Sequence, residues 1–422
     1  MNEQLINPQN LNFSYEQISM MLPYFIVSIG GMIALLAGVM NFSTDPLANQ
    51  RHRNFAAAST AIITIIAAIF SINRIWGEPG LILFNNMLAA DYYSNLFNIV
   101  FLGATGMVVL SSYSYLEKQG IHHAEYYSLV LFACLGMMLL ASSTDLIVLF
   151  IALELMSIAV YVLVGFRRTD VRSNEAAVKY FVLGGALSAV LLYGIAFIYG
   201  ATGTMNLPQL AIWVKGNEVN TLFMLGAVLV GVGFLFKVAS VPFHMWMPDV
   251  YEGAPTSVTN FMTTGLKAAA FAAFLRVFIS LGHSNDVVNF LNTGFHNVLW
   301  VIAVATMFIG NVIALTQRNI KRMLAYSSIA HTGYILIGFI ASPKSEYGIS
   351  SVVMYLIASI IMNLGAFAIV AAISEKGDRN TDIESFSGMG FKHPFLGFAM
   401  AVFMFSMAGV PPTAGFAGKY LI

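Results

Sequence analysis

Charge is scarce in this chain. Of its 422 residues only 9% are Asp, Glu, Lys or Arg, against 58% hydrophobic. A soluble globular protein carries roughly 25% charged residues, so this one cannot cover a water-facing surface. A soluble enzyme, a disordered chain and a nucleic-acid binder with a basic face are excluded. Lys+Arg and Asp+Glu are 20 each, so no net field steers a charged partner. Cysteine is nearly absent: Cys134 stands alone, which excludes a disulfide framework, a Cys-ligated iron–sulfur cluster and a cysteine zinc site. What remains, at a mean hydropathy of +0.77, is an all-α polytopic membrane protein in contact with a lipid bilayer.

A bilayer core about 30 Å thick needs roughly 20 apolar helical residues. Twelve segments meet that need: Leu22–Met40, Phe55–Ile75, Tyr93–Tyr113, Tyr126–Ala141, Leu146–Phe166, Ala176–Gly200, Leu222–Met247, Ser257–Leu281, Val298–Leu315, Met323–Ala341, Ile349–Ile373 and Pro394–Ile422. They are too long and too evenly apolar for the alternating strands of a barrel, and open sheets cannot satisfy their backbone in lipid. The first segment has no basic flank or small-residue cleavage site and is expected to remain as an anchor. Between the second and third segments, Leu81–Leu83 and Ala89–Tyr93 flank Asn85–Asn86, which suits either a small hairpin or an irregular loop.

Basic residues set the orientation. With the N-terminus outside, the cytoplasmic loops hold twelve: Arg51, Arg53, Lys118, Arg167, Arg168, Arg172, Arg318, Lys321, Arg322, Lys376, Arg379 and Lys392. The opposite side holds three, Arg74, Lys215 and Lys344, while Lys179 opens the sixth segment at its cytoplasmic end. The bias predicts an external N-terminus.

Four basic residues lie inside apolar segments: Lys237, Lys267, Arg276 and Lys419. Glu154 is the one carboxylate near the middle of a span. A charge at mid-bilayer costs about 2.5–3.5 kcal/mol on insertion scales, so such residues face the bundle interior and pair. Burial disfavours the charged form of a lysine or a carboxylate, and an opposite charge restores it. A Glu154–Lys237 pair that forms and breaks therefore changes proton affinity, as a proton relay requires. The plainer alternative is a static ion pair gluing two helices, but three lysines face one carboxylate. Arg276, near the outer end of the eighth segment, is expected to be structural, with a side chain long enough to snorkel.

Two segments contain Ala-x-Val-Pro: Ala239-Ser240-Val241-Pro242 and Ala408-Gly409-Val410-Pro411. Proline removes an intrahelical hydrogen bond and clashes with the preceding turn. Freed carbonyls at membrane depth need protein or water as partners. One such break reads as a simple kink; a matched pair, each near a lysine, points to an ion site. The match extends further, since Glu154 through Tyr161 to Phe166 aligns with Ser327 through Tyr334 to Phe339. Segments five and seven then correspond to ten and twelve. The offset of five is odd, so the second copy is inverted in the membrane, a transporter pattern. This predicts three N-terminal helices over 1–125, a first repeat over 126–281 and an inverted second repeat over 282–422. His331, four residues after Ser327, titrates near neutrality and is either a bridge between the two halves or a packing histidine. His283, His296, His122 and His123 are loop or boundary residues.

The stretch Phe236-Lys237-Val238-Ala239-Ser240-Val241-Pro242-Phe243-His244-Met245-Trp246-Met247-Pro248-Asp249-Val250-Tyr251-Glu252-Gly253-Ala254-Pro255-Thr256 resembles a long, specific signature of the antiporter-like membrane subunits of respiratory complex I. Glu175–Phe181, Arg322–Ser328 and Gly409–Lys419 also resemble motifs of that family. The resemblance covers nearly the whole chain. It implies a proton-translocating subunit of NADH:quinone oxidoreductase with about fourteen helices in two inverted five-helix repeats, helices seven and twelve broken at Pro242 and Pro411. It matches Glu154 to the carboxylate of helix five, Lys237 to its partner, Lys267 to the central lysine of helix eight and Lys419 to the terminal basic residue. A lysine there is similar to the subunit N (NADH dehydrogenase subunit 2) type, where a related type carries glutamate. Lys179 and His331 join as further relay candidates.

The resemblance also implies that the chain itself holds no cofactor or metal. NAD, FMN, iron–sulfur clusters and quinone belong to partner subunits, among other membrane subunits of a complex in a bacterial inner membrane, with the N-terminus periplasmic and no nucleic acid. The absence of a dinucleotide fingerprint agrees. Two further helices follow the twelfth in the family, so the chain is expected to be shortened at Ile422. The rival readings are a subunit of a multi-subunit cation/proton antiporter and a static membrane scaffold.

Overall fold

The computed structural model describes residues 15–282, 296–342 and 347–422. His283 and Lys344 lie outside them. All twelve apolar segments are helical in these regions. Ten helical stretches are long and apolar enough to cross a membrane. They are α1 (Tyr15–Ala37), α2 (Pro46–Ile75), α3 (Tyr92–Gln119), α4 (Glu125–Ser142), α5 (Leu146–Val164) and α6 (Val171–Thr202), then the eighth segment and α12 (His296–Leu315), α13 (Ile320–Ala341) and α14 (Gly348–Ile373). The seventh and twelfth segments are each split: α8 (Thr221–Lys237) precedes α9 (Trp246–Gly253), and α16 (Pro394–Ala408) precedes α17 (Ala414–Leu421).

Polar caps explain the starts. Asp45, Asp91, Asp145, Asp170 and Asn319 each accept from backbone N–H groups of the first turn of α2, α3, α5, α6 and α13. Asp91 and Ser94 close a reciprocal capping box.

The eighth segment is not a plain helix. It consists of α10 (Thr256–Phe261), a π-helical turn (Met262–Leu266) and α11 (Lys267–Gly282). It is the enclosed axis of the bundle, with every described side chain from Thr256 to Phe278 buried. Outer helices expose apolar side chains instead, such as Phe70, Phe181, Trp300 and Phe308, as a lipid-facing surface does. α6 and α8 approach so closely that a Cβ on Gly194 would lie 2.8 Å from the Gly226 carbonyl oxygen.

The connections gather on two sides. On one, β1 (Leu81–Leu83) pairs antiparallel with β2 (Leu88–Ala90), Leu81 opposite Ala90. The hairpin option thus holds, with its second strand ending before α3 begins. Phe84, Asn85 and Asn86 turn the chain at positive φ. Thr144 Oγ1 donates to Asn86 O at 2.7 Å, tying the α4–α5 connection to the hairpin. A short helix, α7 (Leu207–Gly216), also lies in a connection and was not expected; at 10 residues it is too short to span. The opposite side carries the loops after α3, α5, α9 and α14, the last containing a 3-10 turn and α15 (Met389–Lys392).

Candidate functional site

Lys237 is the last residue of α8 and is buried. The helix stops because Ala239 turns left-handed at φ +55 and Ser240 N–H closes back onto Leu235 O at 2.9 Å. The second break has the same geometry: Gly409 at φ +85, with Val410 N–H on Phe405 O at 3.0 Å. Ala239 therefore matches Gly409, one residue out of register with the Ala-x-Val-Pro alignment. The left-handed residue that ends the helix sets the register, and the shared proline letters do not.

The carbonyls freed at the first break have partners. Trp246 Nε1 donates to Phe236 O at 3.1 Å, and Thr332 Oγ1 donates to Val238 O at 2.9 Å. At the second break, Lys419 Nζ donates to Met407 O at 2.7 Å and Ala408 O at 3.3 Å. Both breaks thus place a lysine at a helix C-terminus, where the helix dipole favours a cation. Each ammonium also faces a tyrosine ring, Lys237 over Tyr161 at 5.8 Å and Lys419 over Tyr334 at 5.0 Å. Tyr161 and Tyr334 are the residues that the sequence match places opposite each other.

Glu154 and Lys237 are not in direct contact, and among the described residues no ion pair joins them. Lys237 Nζ donates to Ser157 Oγ at 2.8 Å, while Glu154 Oε1 accepts from Ser188 Oγ at 2.5 Å. Both serines went unnoticed in the sequence. Ser157 stands one turn after Glu154, and that i,i+3 spacing was the available signal.

From Lys237 the polar groups continue inward. A cavity of about 10 Å³, room for about one water, is lined by Lys237, Lys267, Tyr180, Trp246, Tyr251 and neighbouring apolar residues. Lys267 Nζ donates to Ser328 O at 2.6 Å and Ser328 Oγ at 2.7 Å. A second cavity of about 10 Å³ joins Lys267 to His331 past Thr263, Thr264, Ser359 and Asn363. His331 shares a hydrogen bond with the Tyr355 hydroxyl through Nδ1 and stacks on that ring. A third and larger cavity, about 460 Å³, is lined by His331, Ser327, Tyr334, Asn311 and Lys419. Glu154, Lys237, Lys267, His331 and Lys419 are therefore brought into one polar series.

Lys179 is placed apart from it. Its ammonium meets Glu175 at 2.7 Å and Asp249 at 2.9 Å, and Arg322 bridges Asp249 and Glu252 at 2.7 and 2.9 Å. This is a part-exposed ion network binding α9 to α6 and α13. Arg276 does not snorkel. Its guanidinium forks onto Asp91 at 2.8 and 2.9 Å, donates to Ala141 O at 2.7 Å and lies 4.9 Å from the Tyr93 ring centroid. A bidentate partner at the head of α3 removes any need to reach for the interface. Burial acts to raise the Asp91 pKa, but the Arg276 hydrogen bonds and charge win and hold it below the usual carboxylate range.

Residues 143–422 match the family model described as NADH:quinone oxidoreductase/Mrp antiporter, TM. The chain belongs to this family. Among curated relatives, NADH-quinone oxidoreductase subunit N of Trichlorobacter lovleyi is 43% identical, covering 97% of this chain and 81% of that one. Among solved structures, a chain of respiratory complex I from Thermus thermophilus superposes with a TM-score of 0.76 at 34% identity, covering 94% of this chain and 81% of that one. A chain of the Mrp complex from Dietzia shares the fold at a TM-score of 0.76 and 23% identity, over 95% of this chain and 73% of that one. Within the family match lie both helix breaks and all five residues of the polar series. Among the described residues no cluster of His, Cys, Asp or Glu is arranged to hold a metal.

Proposed function

We propose that the chain is a proton-translocating membrane subunit of an NADH:quinone oxidoreductase, of the subunit N type. The carrying observation is the series Lys237, Lys267, His331 and Lys419, joined by two cavities of water size and one larger one, with Glu154 one turn of α5 before the Ser157 that meets Lys237. In this reading Glu154 holds the proton on Lys237 by its charge. When the two separate, the proton passes through one water to Lys267, whose amine leans on Ser328. His331 and its tyrosine partner carry it on, and Lys419 holds it before release. The coupled groups titrate as a set rather than one by one. Lys179 serves the series from outside, holding α9 in place.

The domain division follows the same reading: 1–125 as an N-terminal three-helix unit, 126–281 as the first repeat and 282–422 as an inverted second. The paired breaks and the paired lysine–tyrosine contacts support it. Partner subunits supply NADH oxidation, flavin, iron–sulfur clusters and quinone, and this chain sits among other membrane subunits in a bacterial inner membrane. The basic bias supports an N-terminus on the periplasmic side. In the assembled enzyme, Lys237→Met lowers the number of protons moved per NADH oxidised. A normal ratio in that variant overturns the assignment.

The Mrp likeness favours a second reading, a cation/proton antiporter subunit. Reconstitution separates the two, because ion exchange without an electron donor supports the antiporter.

A further inference from the structure

Arg167 and Lys321 belong to connections or helix starts, where cations normally meet water. Both are buried, with Lys321 at 1% exposure. Between them lies Asp378, in the connection after α14, its side chain 7% exposed and its backbone turned to φ +52. Its carboxylate accepts from Tyr115 Oη at 2.8 and 3.0 Å, from Arg167 Nη2 at 3.2 Å and from Thr256 N–H at 3.3 Å. Lys321 Nζ lies 3.9 Å away and donates to Glu252 O at 2.9 Å and Ala254 O at 2.6 Å.

Two of these partners begin helices of the relay. Thr256 opens α10, and eleven residues later comes Lys267; Lys321 sits in the first turn of α13, and seven residues later comes Ser328. At about 1.5 Å per residue those arms are roughly 16 and 10 Å long. The Lys267–Ser328 contact is therefore closed by two helices that meet at one cluster, where Thr256 N–H also donates to Tyr115 Oη at 2.8 Å, the hydroxyl that Asp378 itself holds, and Lys321 faces the same carboxylate. The π turn between Thr256 and Lys267 changes the helical phase, so the direction of Lys267 depends on how the start of α10 is held.

We infer that Asp378 is a positioning residue of the relay, which by clasping Thr256 and Lys321 sets where Lys267 meets Ser328. The inference rests on Lys267 belonging to the relay. Stability alone does not account for such a cluster, because apolar residues of similar volume often replace a buried ion group without loss. The charges balance locally, since Arg167 also meets Asp170 at 3.3 Å. The clasp joins four parts of the chain, and rigid helices transmit a shift at their starts to the contact further along.

The test uses the complete complex carrying Asp378→Asn, Asp378→Glu or the charge-balanced pair Asp378→Asn with Lys321→Met. NADH oxidation by an artificial acceptor reports assembly, and protons moved per NADH oxidised by quinone reports the relay. Asp378→Asn is expected to assemble with a ratio lowered roughly twofold or more, and Asp378→Glu to recover most of it. A purely structural role would change yield and leave the ratio alone. Where Asp378→Asn fails to assemble, the double variant is read in its place and shows the same fall. A wild-type ratio in whichever of the two assembles overturns the inference, as does failure of both to assemble, which makes Asp378 a folding residue. Lys267→Met is measured in parallel: if it is impaired while the Asp378 variants are normal, only the positioning role falls. If Lys267→Met itself moves protons normally, the relay reading falls first.

Discussion

Ser157 Oγ, not the Glu154 carboxylate, accepts the hydrogen bond of the Lys237 ammonium, at 2.8 Å. Glu154 is engaged by Ser188 on α6. The carboxylate and the lysine thus each have a separate hydroxyl partner, and the lysine's partner stands one turn of α5 after Glu154. A direct buried ion pair would be hard to part, since removing either partner leaves an uncompensated charge at a cost of about 3–5 kcal/mol. A hydroxyl of its own, on Ser157, lets the lysine keep a partner while its proton moves.

That arrangement makes Ser157→Ala informative. A hydrogen bond to a charged group contributes about 1.5–3 kcal/mol, and 1.4 kcal/mol is about tenfold in rate. In vesicles holding the assembled enzyme, Ser157→Ala should slow proton translocation about tenfold, and Ser157→Thr should retain most of it. A wild-type rate in the alanine variant would sink the role given to Ser157.

The helices were legible because apolar length is a coarse property: all twelve segments reappear, and both breaks lie where the prolines predicted them. What stayed hidden depends on contacts between distant parts of the chain. Asp378 belongs to no motif, and in the sequence Arg167 and Lys321 read as loop cations that set orientation. All three side chains are covered because four connections converge there. The π turn before Lys267 leaves no mark in composition, since Met262–Leu266 would suit an ordinary helix equally well. The register of the repeat breaks was read one residue off. Letters were matched where the left-handed positions, Ala239 and Gly409, decide the geometry.

Close packing of α6 on α8 supports a stability prediction. A side chain at Gly194 would collide with backbone at Gly226 and Val230, both 2.8 Å from its Cβ. Backbone cannot swing aside as a side chain tip can. Gly194→Leu should cost the membrane arm about 1–3 kcal/mol or more, seen as reduced assembled complex on native gels. Gly203→Leu is no control, because that residue has positive φ. Gly185→Leu is a fair one, with open space around it.

The Arg276–Asp91 fork predicts a pH dependence. The Asp91 carboxyl is held below the usual range in the folded protein, whereas an unfolded aspartate titrates near about 3.9. A depressed folded value means that the stabilisation is complete above the unfolded value and is lost as pH falls through the folded one. Asp91→Asn should therefore melt earlier than wild type at neutral pH. The gap should close on acidification below the usual carboxylate range. Because the Asp91 side chain is 38% exposed, solvent screening keeps the effect modest. A gap that is constant with pH would show that the carboxylate charge contributes nothing.

Lys419 offers the sharpest comparison between the two breaks. It lies beyond its break, whereas Lys237 precedes its own, yet both ammonium groups reach a helix C-terminus beside a matched tyrosine. Lys419→Arg keeps a charge and donors for Met407 O and Ala408 O, although the planar guanidinium holds its proton far more firmly than an amine does. Lys419→Met removes both donors and leaves two carbonyls without that partner. If Lys419 only caps the helix, arginine should preserve proton translocation and methionine should lower assembly. If Lys419 passes a proton, both variants should assemble to a measurable level and both should fail to move protons, arginine included. The second outcome is expected, with the proton-to-electron ratio in vesicles as the measurement, and full pumping by Lys419→Arg would reduce Lys419 to a cap.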